Sequence, residues 1–459
     1  MTQSLQDVLR EYDSPLEFLQ TVGSHADPGH LRLFEDVPPE FTNWREEQSA
    51  WVNSCAVSDL SHHMTDLRVE GPDALDLFED FGANDFEGFH QGEAKQFVAC
   101  NPNGYLIGDG ILFHLAEDAF NLVGYGPINW IQYNAETGDY DVTTTRNEHS
   151  GVRDGDPRDF RYQVQGPNAL AVIRRALDEP LPDISFFNFE PVSIAGCEVN
   201  ALRHGMLNEP GFELFGPWEH AEAVRGALMD AGEDHGITRV GRKAYAGGVI
   251  PAAWMSVPLP AVFGDEMRAY REWLDADSFE GALTVAGSVE PTDVTDHYLT
   301  PFGAGHDRFI EFNHEFVGRD ALEAQADDPP GTKVTLVWNR ADTKALVGHL
   351  FEDAEPKRYT NLPVPEWSLT QNDRVQKDGE DVGVANNTRY LYFERRMFSL
   401  CSIDPAYSEP GTEVTIVWGE SGESRNPRVE PHSQTEIRAA VGPAPYFEDK
   451  RKTADYSAA

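Results

Sequence analysis

The sequence predicts an α+β protein that ends in a separate all-β domain. Three observations predict it. Between residues 50 and 322, short alternating apolar runs, the mark of strands, are interleaved with segments whose apolar residues recur every three or four positions, the mark of helices. From residue 332 the helical period fades, and "KVTLVW", "RYLYFE", "FSLCSID" and "EVTIVWG" follow one another across turn-rich acidic loops. Between the two regimes lies "EAQADDPPGTK", residues 323–333, an acidic linker built around Pro-Pro-Gly. A chain of 459 residues has room for about two to three domains. The boundaries read as 1–322 for two interleaved α+β units (roughly 50–150, and 1–49 plus 151–322), 332–446 for the β domain, and 447–459 for a frayed tail.

The elements follow in order. The first forty residues predict a helix and then an extended arm ending at "DVPPEF". "TNWREEQSAWVNS" predicts a helix with Trp44 and Trp51 on one face. "AVSDLSHHMTDLRVEG" is strand-like, and "PDALDLFEDF" is a short helix behind a proline. "AKQFVACNPNGYLIGDGILFHLAEDAFNLVGYG" predicts a β-meander, with "NPNG" as a hairpin turn. "FRYQVQG" is a strand and "PNALAVIRRALDE" the helix after it. This repeats the earlier passage from strand through Gly-Pro into an Ala-Leu helix, and hints at related halves. "EVNALRHGMLNEPGFELFG" reads as two paired strands, and "PWEHAEAVRGALMDAGEDHG" as an amphipathic helix ending in glycine.

Composition excludes several functions. Seventy-eight Asp and Glu against 36 Lys and Arg give a net charge of −42. Such a surface repels nucleic acid and anionic membranes. The acids are spread along the whole chain, as suits a protein in concentrated salt, where the screening length falls to roughly 3 Å. No apolar run is long enough for a transmembrane helix, and the acidic amphipathic N-terminus lacks the pattern of a secretory signal, so a cytoplasmic, halophilic enzyme is expected. Cys55, Cys100, Cys197 and Cys401 form no CxxC pair and sit in apolar contexts, which predicts buried free thiols. His62 and His63 are adjacent, a poor spacing for chelation, so no metal site is expected.

One acid stands out. Glu213 lies within "EPGFELFGPW", otherwise Gly, Phe, Leu, Pro and Trp. It is either a solvated acid on an edge strand or a carboxylate that reads a flat, donor-rich ligand. Gln163 and Gln165, two apart on "YQVQG", point to one strand face.

"YQVQGPNALAV", "PGFELFGP" and "RFIEFNHEFVGRDALEA", followed by a β domain, resemble the family of the glycine cleavage system T protein, folate-dependent enzymes of aminomethyl and methyl transfer. Within it, "PPEFTNWREEQSAW", "HHMTDL", "AKQFV", "IGDGILF", "RHGM", "PLPAVF" and "VEPHSQTEIRAAVGPAPY" are most similar to the tetrahydrofolate-dependent O-demethylases of vanillate and methylgallate. The resemblance runs from about residue 37 to about 446 and is specific as a set. It implies three domains around a central channel, tetrahydrofolate as cofactor, and a small methyl donor as substrate.

The resemblance also implies roles. Glu213 would accept from the 2-amino group and ring N–H of a pterin, a two-point contact. Gln163, Gln165, Gln96 and Trp254 would line the folate site; ordinary polar packing for the two strand glutamines and core packing for Trp254 are the alternatives. Tyr245 in "GRKAYAGGVIPAAW" matches a demethylase tyrosine tied to demethylation, and a phenol suits an acid that assists an ether oxygen to leave; a core or interface tyrosine is the alternative. His63 matches a position near substrate and folate, with His62 structural. Asp109 lies near a catalytic aspartate of the glycine-cleavage enzymes, although the pattern there is Asp-Asp and here Gly108-Asp109.

Substrate residues depart from the vanillate pattern. Tyr125 stands where an arginine holds the aryl carboxylate, Arg32 and Phe34 where there are tyrosines, and Leu60 where there is a glutamine. Losing that arginine removes a two-pronged clamp, which Arg32 is placed to replace. The donor implied first is a methoxyaromatic. A betaine or sulfonium donor against Tyr125 and Phe34 stays open. So do the aminomethyltransferase of glycine cleavage, with its lipoyl carrier partner, and a folate-binding module without transfer.

Overall fold

The two strand–Gly-Pro–helix segments that echo each other in sequence open two different sheets. A computed structural model describes residues 3–21, 36–422, 424 and 429–456. Strand β1 (Cys55–Asp59) runs into a turn at residues 60–64, and β2 (Thr65–Glu70) leaves it in another sheet. β2 joins β3 (Ala94–Cys100), β4 (Leu106–Ala116), β5 (Ala119–Gly124) and β6 (Thr143–Asn147) in a five-stranded sheet of order β3-β4-β5-β2-β6. β1 joins β7 (Asp159–Gln165), β8 (Phe189–Ile194), β9 (Cys197–Leu202), β10 (Gly211–Pro217) and β11 (Ile237–Val240) in a six-stranded sheet of order β11-β1-β7-β10-β9-β8. β1 therefore lies within the expected 50–150 unit but pairs with the other one, because alternation identifies a strand and not its neighbour.

The echoed glycines have a physical reason. Gly71 has φ +148° and Gly166 φ +132°, and a Cβ there would stand 2.2 Å from the Asp141 carbonyl and 2.6 Å from the Ser54 carbonyl. Only glycine lets each strand turn this closely into its helix. The helices that follow, Ala74–Phe81 and Ala169–Ala176, bury Leu77 and Phe78 in one core, Val172 and Ile173 in the other. The N-terminal helices Leu5–Leu9 and Pro15–Thr21 and the segment Leu259–Leu283, both placed in the second unit by the sequence, pack together in the first of these cores.

Downstream, β12 (Val285–Ala286) pairs with β14 (Thr370–Gln371). β13 (Thr332–Trp338), β15 (Asp373–Lys377), β16 (Glu380–Leu391), β17 (Arg396–Ile403), β18 (Glu413–Trp418) and β19 (Thr435–Gly442) close into a barrel of order β13-β17-β16-β15-β18-β19. Closure leaves no sheet edge unpaired. The barrel core is tryptophan-rich, with Trp418 edge-on to Trp338 at 5.3 Å and to Trp367 at 5.1 Å.

Two expectations fail. The segment after 446 is no frayed tail: Lys450 pairs with Glu209 at 2.6 Å, and Tyr456 packs on the second sheet, where its hydroxyl accepts from Gly211 N at 3.0 Å and Arg203 lies over its ring. One aromatic ring with a polar handle is enough to anchor a short terminus. Of the four free cysteines, Cys197 is half-exposed, since it opens a strand at a hairpin turn. Among the described residues, no helix is long and apolar enough to cross a membrane.

Candidate active site

A cavity of ≈ 560 Å³ lies where the two sheets and the barrel meet. Leu60, His63, Gln96, Glu213, Tyr245 and Trp254 all line it, although they come from distant parts of the chain.

Glu213 sits on β10, between β7 and β9, so it is not on an edge strand. Alternation sends Phe212 and Leu214 into the helix-covered core and Glu213 to the opposite face, where it is 7% exposed. An ion pair offsets the cost of burial. Arg161 Nη1 donates to Glu213 Oε1 at 2.6 Å, and Nη2 donates to Asp66 Oδ1 at 2.9 Å. The guanidinium also lies over the rings of Phe113 and Phe215, at 5.1 and 5.5 Å. Asp66, Arg161 and Glu213 thus form a buried triad of one cation between two carboxylates. No described residue donates to Glu213 Oε2. Gln163 faces Glu213 directly across the ladder, and its Nε2 is buried with no hydrogen-bond partner.

Tyr245 and His63 form a second polar pair. His63 Nδ1 lies 3.2 Å from the Leu60 carbonyl, which can only accept, so Nδ1 carries the proton. Burial pushes the His63 pKa down to about 3, which keeps the ring neutral. Its Nε2 then presents a lone pair to the Tyr245 hydroxyl at 3.2 Å, and Met206 Sδ is a weaker acceptor at 3.1 Å. Burial, then Tyr125 and Glu213, raise the Tyr245 pKa well above the ordinary phenol value. This corrects the expectation of a phenol-like acid. Tyr245 is a hydrogen-bond donor that keeps its proton, because a phenolate here would lose its hydration.

A third cluster surrounds Asp109. Trp254 Nε1 donates to its Oδ2 at 2.9 Å, Gln96 Nε2 donates to the same oxygen, and His306 Nε2 lies 3.7 Å from Oδ1. Lys333 of the barrel and Arg308 line the same cavity. Burial lowers the Lys333 pKa to about 8, with Asp109 opposing the shift and Arg308 adding to it. Neither Lys333 nor Arg308 has a carboxylate within salt-bridge distance among the described residues. In a chain with 78 acids against 36 bases, two cavity-lining cations without such a partner stand out.

Three expected residues are placed off the cavity lining; Gln163, although it faces Glu213 across the ladder, is buried behind that lining. Both ends of the Gln165 amide are spent on the backbone: Nε2 donates to Glu209 O at 2.9 Å and Oε1 accepts from Leu207 N at 3.0 Å, so Gln165 braces the loop before β10. Tyr125 is stacked on Phe279 at 5.1 Å and 13° and does not line the cavity, though it lies near enough to Tyr245 to act on its pKa. His62 and His63 lie in a turn rather than on a strand; His62 faces Asp36, Asp59 and Arg153, away from Tyr245. Arg32 and Phe34 lie outside the described residues. The sequence reading missed Arg161, Asp66, His306 and Lys333. Arg161 was within reach, since Arg161, Gln163 and Gln165 alternate along β7 and share one face.

Two α+β units and a barrel thus surround one cavity, lined by a buried carboxylate with one oxygen left without a described donor. The family model of the GCVT N-terminal domain matches residues 7–247, and the chain belongs to that family of folate-dependent one-carbon transferases. A syringate O-demethylase of Sphingobium sp. is 42% identical over 97% of this chain and 96% of that protein. A sesamin methylene transferase of Sinomonas sp. is 29% identical over 92% of each chain. An aminomethyltransferase of Halalkalibacterium halodurans is 30% identical over 83% of this chain and 87% of that one. The crystal structure of the glycine cleavage system aminomethyltransferase T from Bartonella henselae shares the fold, with a TM-score of 0.58 at 18% identity, over 90% of this chain and 92% of that one.

Proposed function

We propose that the chain moves a methyl group from a methoxyaromatic donor to N5 of tetrahydrofolate, in the cytoplasm of a cell rich in salt. The observation that carries this reading is Tyr245, a buried phenol that keeps its proton and lines the same cavity as Glu213. The similarity to a syringate O-demethylase over nearly the whole chain supports the donor class, and leaves the aminomethyltransferase alternative with less support.

The residues present fit a reduced folate. Glu213 Oε2 has no described donor, which is what the donor edge of a pterin would complete. Gln96 and Trp254, tied to Asp109, would hold the middle of the ligand, and Lys333 and Arg308 its carboxylates. Bound tetrahydrofolate would supply the nitrogen that accepts the methyl group. The protein's part is alignment and exclusion of water. Arg161 fixes Glu213 so that the carboxylate does not swing when the site fills. Tyr245 turns its O–H from His63 toward the ether oxygen and stabilises the aryl oxide as the C–O bond breaks. Giving up the His63 contact costs about 1 kcal/mol. Leu60 and His63 would frame the donor.

The test is to incubate the protein in molar salt with tetrahydrofolate and a panel of methoxybenzoates, methoxyphenols, betaines and sulfonium compounds, and to look for methyltetrahydrofolate by mass. Methylated folate from a methoxyaromatic is the expected result. Release of ammonia from an aminomethyl-lipoyl carrier, or no methylated folate from any donor, would sink the reading. The same protein is expected to lose its thermal transition as salt is diluted, because a net charge of −42 then repels itself unscreened.

A further inference from the structure

Tyr245 ends the α-turn Arg242–Tyr245, which runs on through a 3-10 turn at Ala246–Gly248 into a second α-turn at Val249–Ala252. So short and irregular a helical run depends on tertiary contacts to hold its place, and those contacts fix the phenol. The front of the turn is gripped by the helix Trp44–Asn53 and the arm before it. Gly241 N donates to Glu47 Oε2 at 2.9 Å, and Arg242 N and Lys243 N donate to Pro38 O and Pro39 O at 3.1 and 3.2 Å. The back is gripped from the barrel. Arg389 Nε donates to the carbonyl of Ala246, the residue after Tyr245, at 2.8 Å. Arg389 Nη1 bonds the Glu366 carboxylate and the Thr388 carbonyl, and Glu366 Oε1 accepts from Thr388 N at 2.6 Å.

Two features single out this contact. Arg389 and Glu366 are both buried, with side chains 9% and 5% exposed. A buried ion pair adds little to folding beyond what an apolar pair would give. Its presence calls for a reason of geometry. The register of β16 against β17 also shifts between Asn386 and Arg389, and Asn387 has φ +48°. A bulge of this kind re-aims the side chain that follows it, and here the Arg389 side chain reaches Ala246 while its backbone stays paired with Phe398. The guanidinium serves Ala246 through Nε and both Glu366 and Thr388 through Nη1, a rigid spread of donors that a single ammonium nitrogen does not reproduce.

We propose that Arg389, fixed by Glu366, is a positioning residue for Tyr245, so that the barrel sets the place of the phenol in the cavity. This rests on the reading of Tyr245 as donor to the leaving oxygen. It makes the barrel part of the catalytic geometry rather than a cover.

A double-mutant cycle tests it. Arg389→Lys is expected to lower kcat by about tenfold to a hundredfold, as misplacement of a reacting group by ~1 Å does, and to leave tetrahydrofolate affinity unchanged. It is also expected to steepen the dependence of kcat on the pKa of the leaving phenol, measured over a series of ring-substituted methoxyarenes. In a Tyr245→Phe background Arg389→Lys should slow turnover no further. An equal loss in both backgrounds would assign Arg389 to general stability and overturn the proposal, as would wild-type turnover for Arg389→Lys. Wild-type turnover for Tyr245→Phe alone would instead overturn the reading of Tyr245 itself. If Arg389→Lys does not fold, Arg389→Met with Glu366→Gln leaves no unpaired buried charge and takes its place in the cycle. Failure of that pair to fold would assign the ions to the folding of the barrel and also overturn the proposal.

Discussion

Two clusters in one cavity treat a buried carboxylate in opposite ways. Glu213 is held by a full charge, Arg161, on one oxygen only. Asp109 is held mainly by neutral donors, with the Trp254 indole and the Gln96 amide converging on the same oxygen. The first arrangement leaves half of the carboxylate without a described donor, open to the proposed ligand. The second uses the carboxylate as a post to which two other cavity-lining groups are tied. A buried acid is thus not a binding acid by its residue type; what decides is how many of its lone pairs the protein has already used.

The largest effect should come from the first cluster. Glu213→Ala removes the proposed two-point contact and leaves Arg161 with one partner instead of two. Losing hydrogen bonds from the ligand to a charged acceptor costs about 1.5–3 kcal/mol each, so tetrahydrofolate affinity, followed by tryptophan fluorescence in molar salt, should fall on the order of 100-fold. Affinity within a few-fold of wild type would mean that Glu213 serves Arg161 alone.

Next is Tyr245→Phe. Removing one donor aimed at a developing oxyanion costs about 100-fold or more in kcat, while folate affinity should hold. The pH profile sharpens the point. Burial raises the Tyr245 pKa, so the proton is present below that raised value and is lost only above it. The wild-type rate should therefore show no fall through the ordinary phenol pKa near 10 that is due to Tyr245. His63, at about 3, should contribute no limb between pH 5 and 8.

This contrast explains how much was legible beforehand. Glu213 stood out because a charged residue breaks an apolar run, and Tyr245 because a family motif surrounds it. The sequence also divides the chain correctly into α+β and barrel regions, since periods of 3.6 and 2 are local properties. What it hid is pairing. Arg161 reaches Glu213 across a ladder, His306 reaches Asp109 and Lys333 joins the same cavity from segments about two hundred residues further on, and no periodicity records proximity of that range. Tyr125 shows the converse: a motif position fixes the backbone, but stacking on Phe279 decides where the ring goes.

A smaller effect is expected at the second cluster. Asp109→Ala leaves the Trp254 N–H and the Gln96 amide without their shared acceptor, at about 1–3 kcal/mol for each unsatisfied group. If those groups are tied in place for the ligand, KM for tetrahydrofolate should rise about tenfold. A fall in kcat with KM unchanged would move Asp109 from post to reacting group, and the two clusters would no longer differ in kind.

The smallest effect is one of pH. Lys333 is cationic below its depressed pKa of about 8 and neutral above it. If it holds a carboxylate of the folate tail, the ion pair is fully present at lower pH, and binding itself raises the Lys333 pKa. Affinity should then be greatest below about pH 8, decline as the pH rises from there through the bound-state value, and level off above it. Lys333→Met should weaken binding by a few-fold at pH 7, the share of one partly solvated pair worth about 1 kcal/mol, and should flatten the decline. A variant that binds more weakly but keeps the same alkaline slope would assign the slope to another group, with Arg308 excluded because a guanidinium does not titrate in that range.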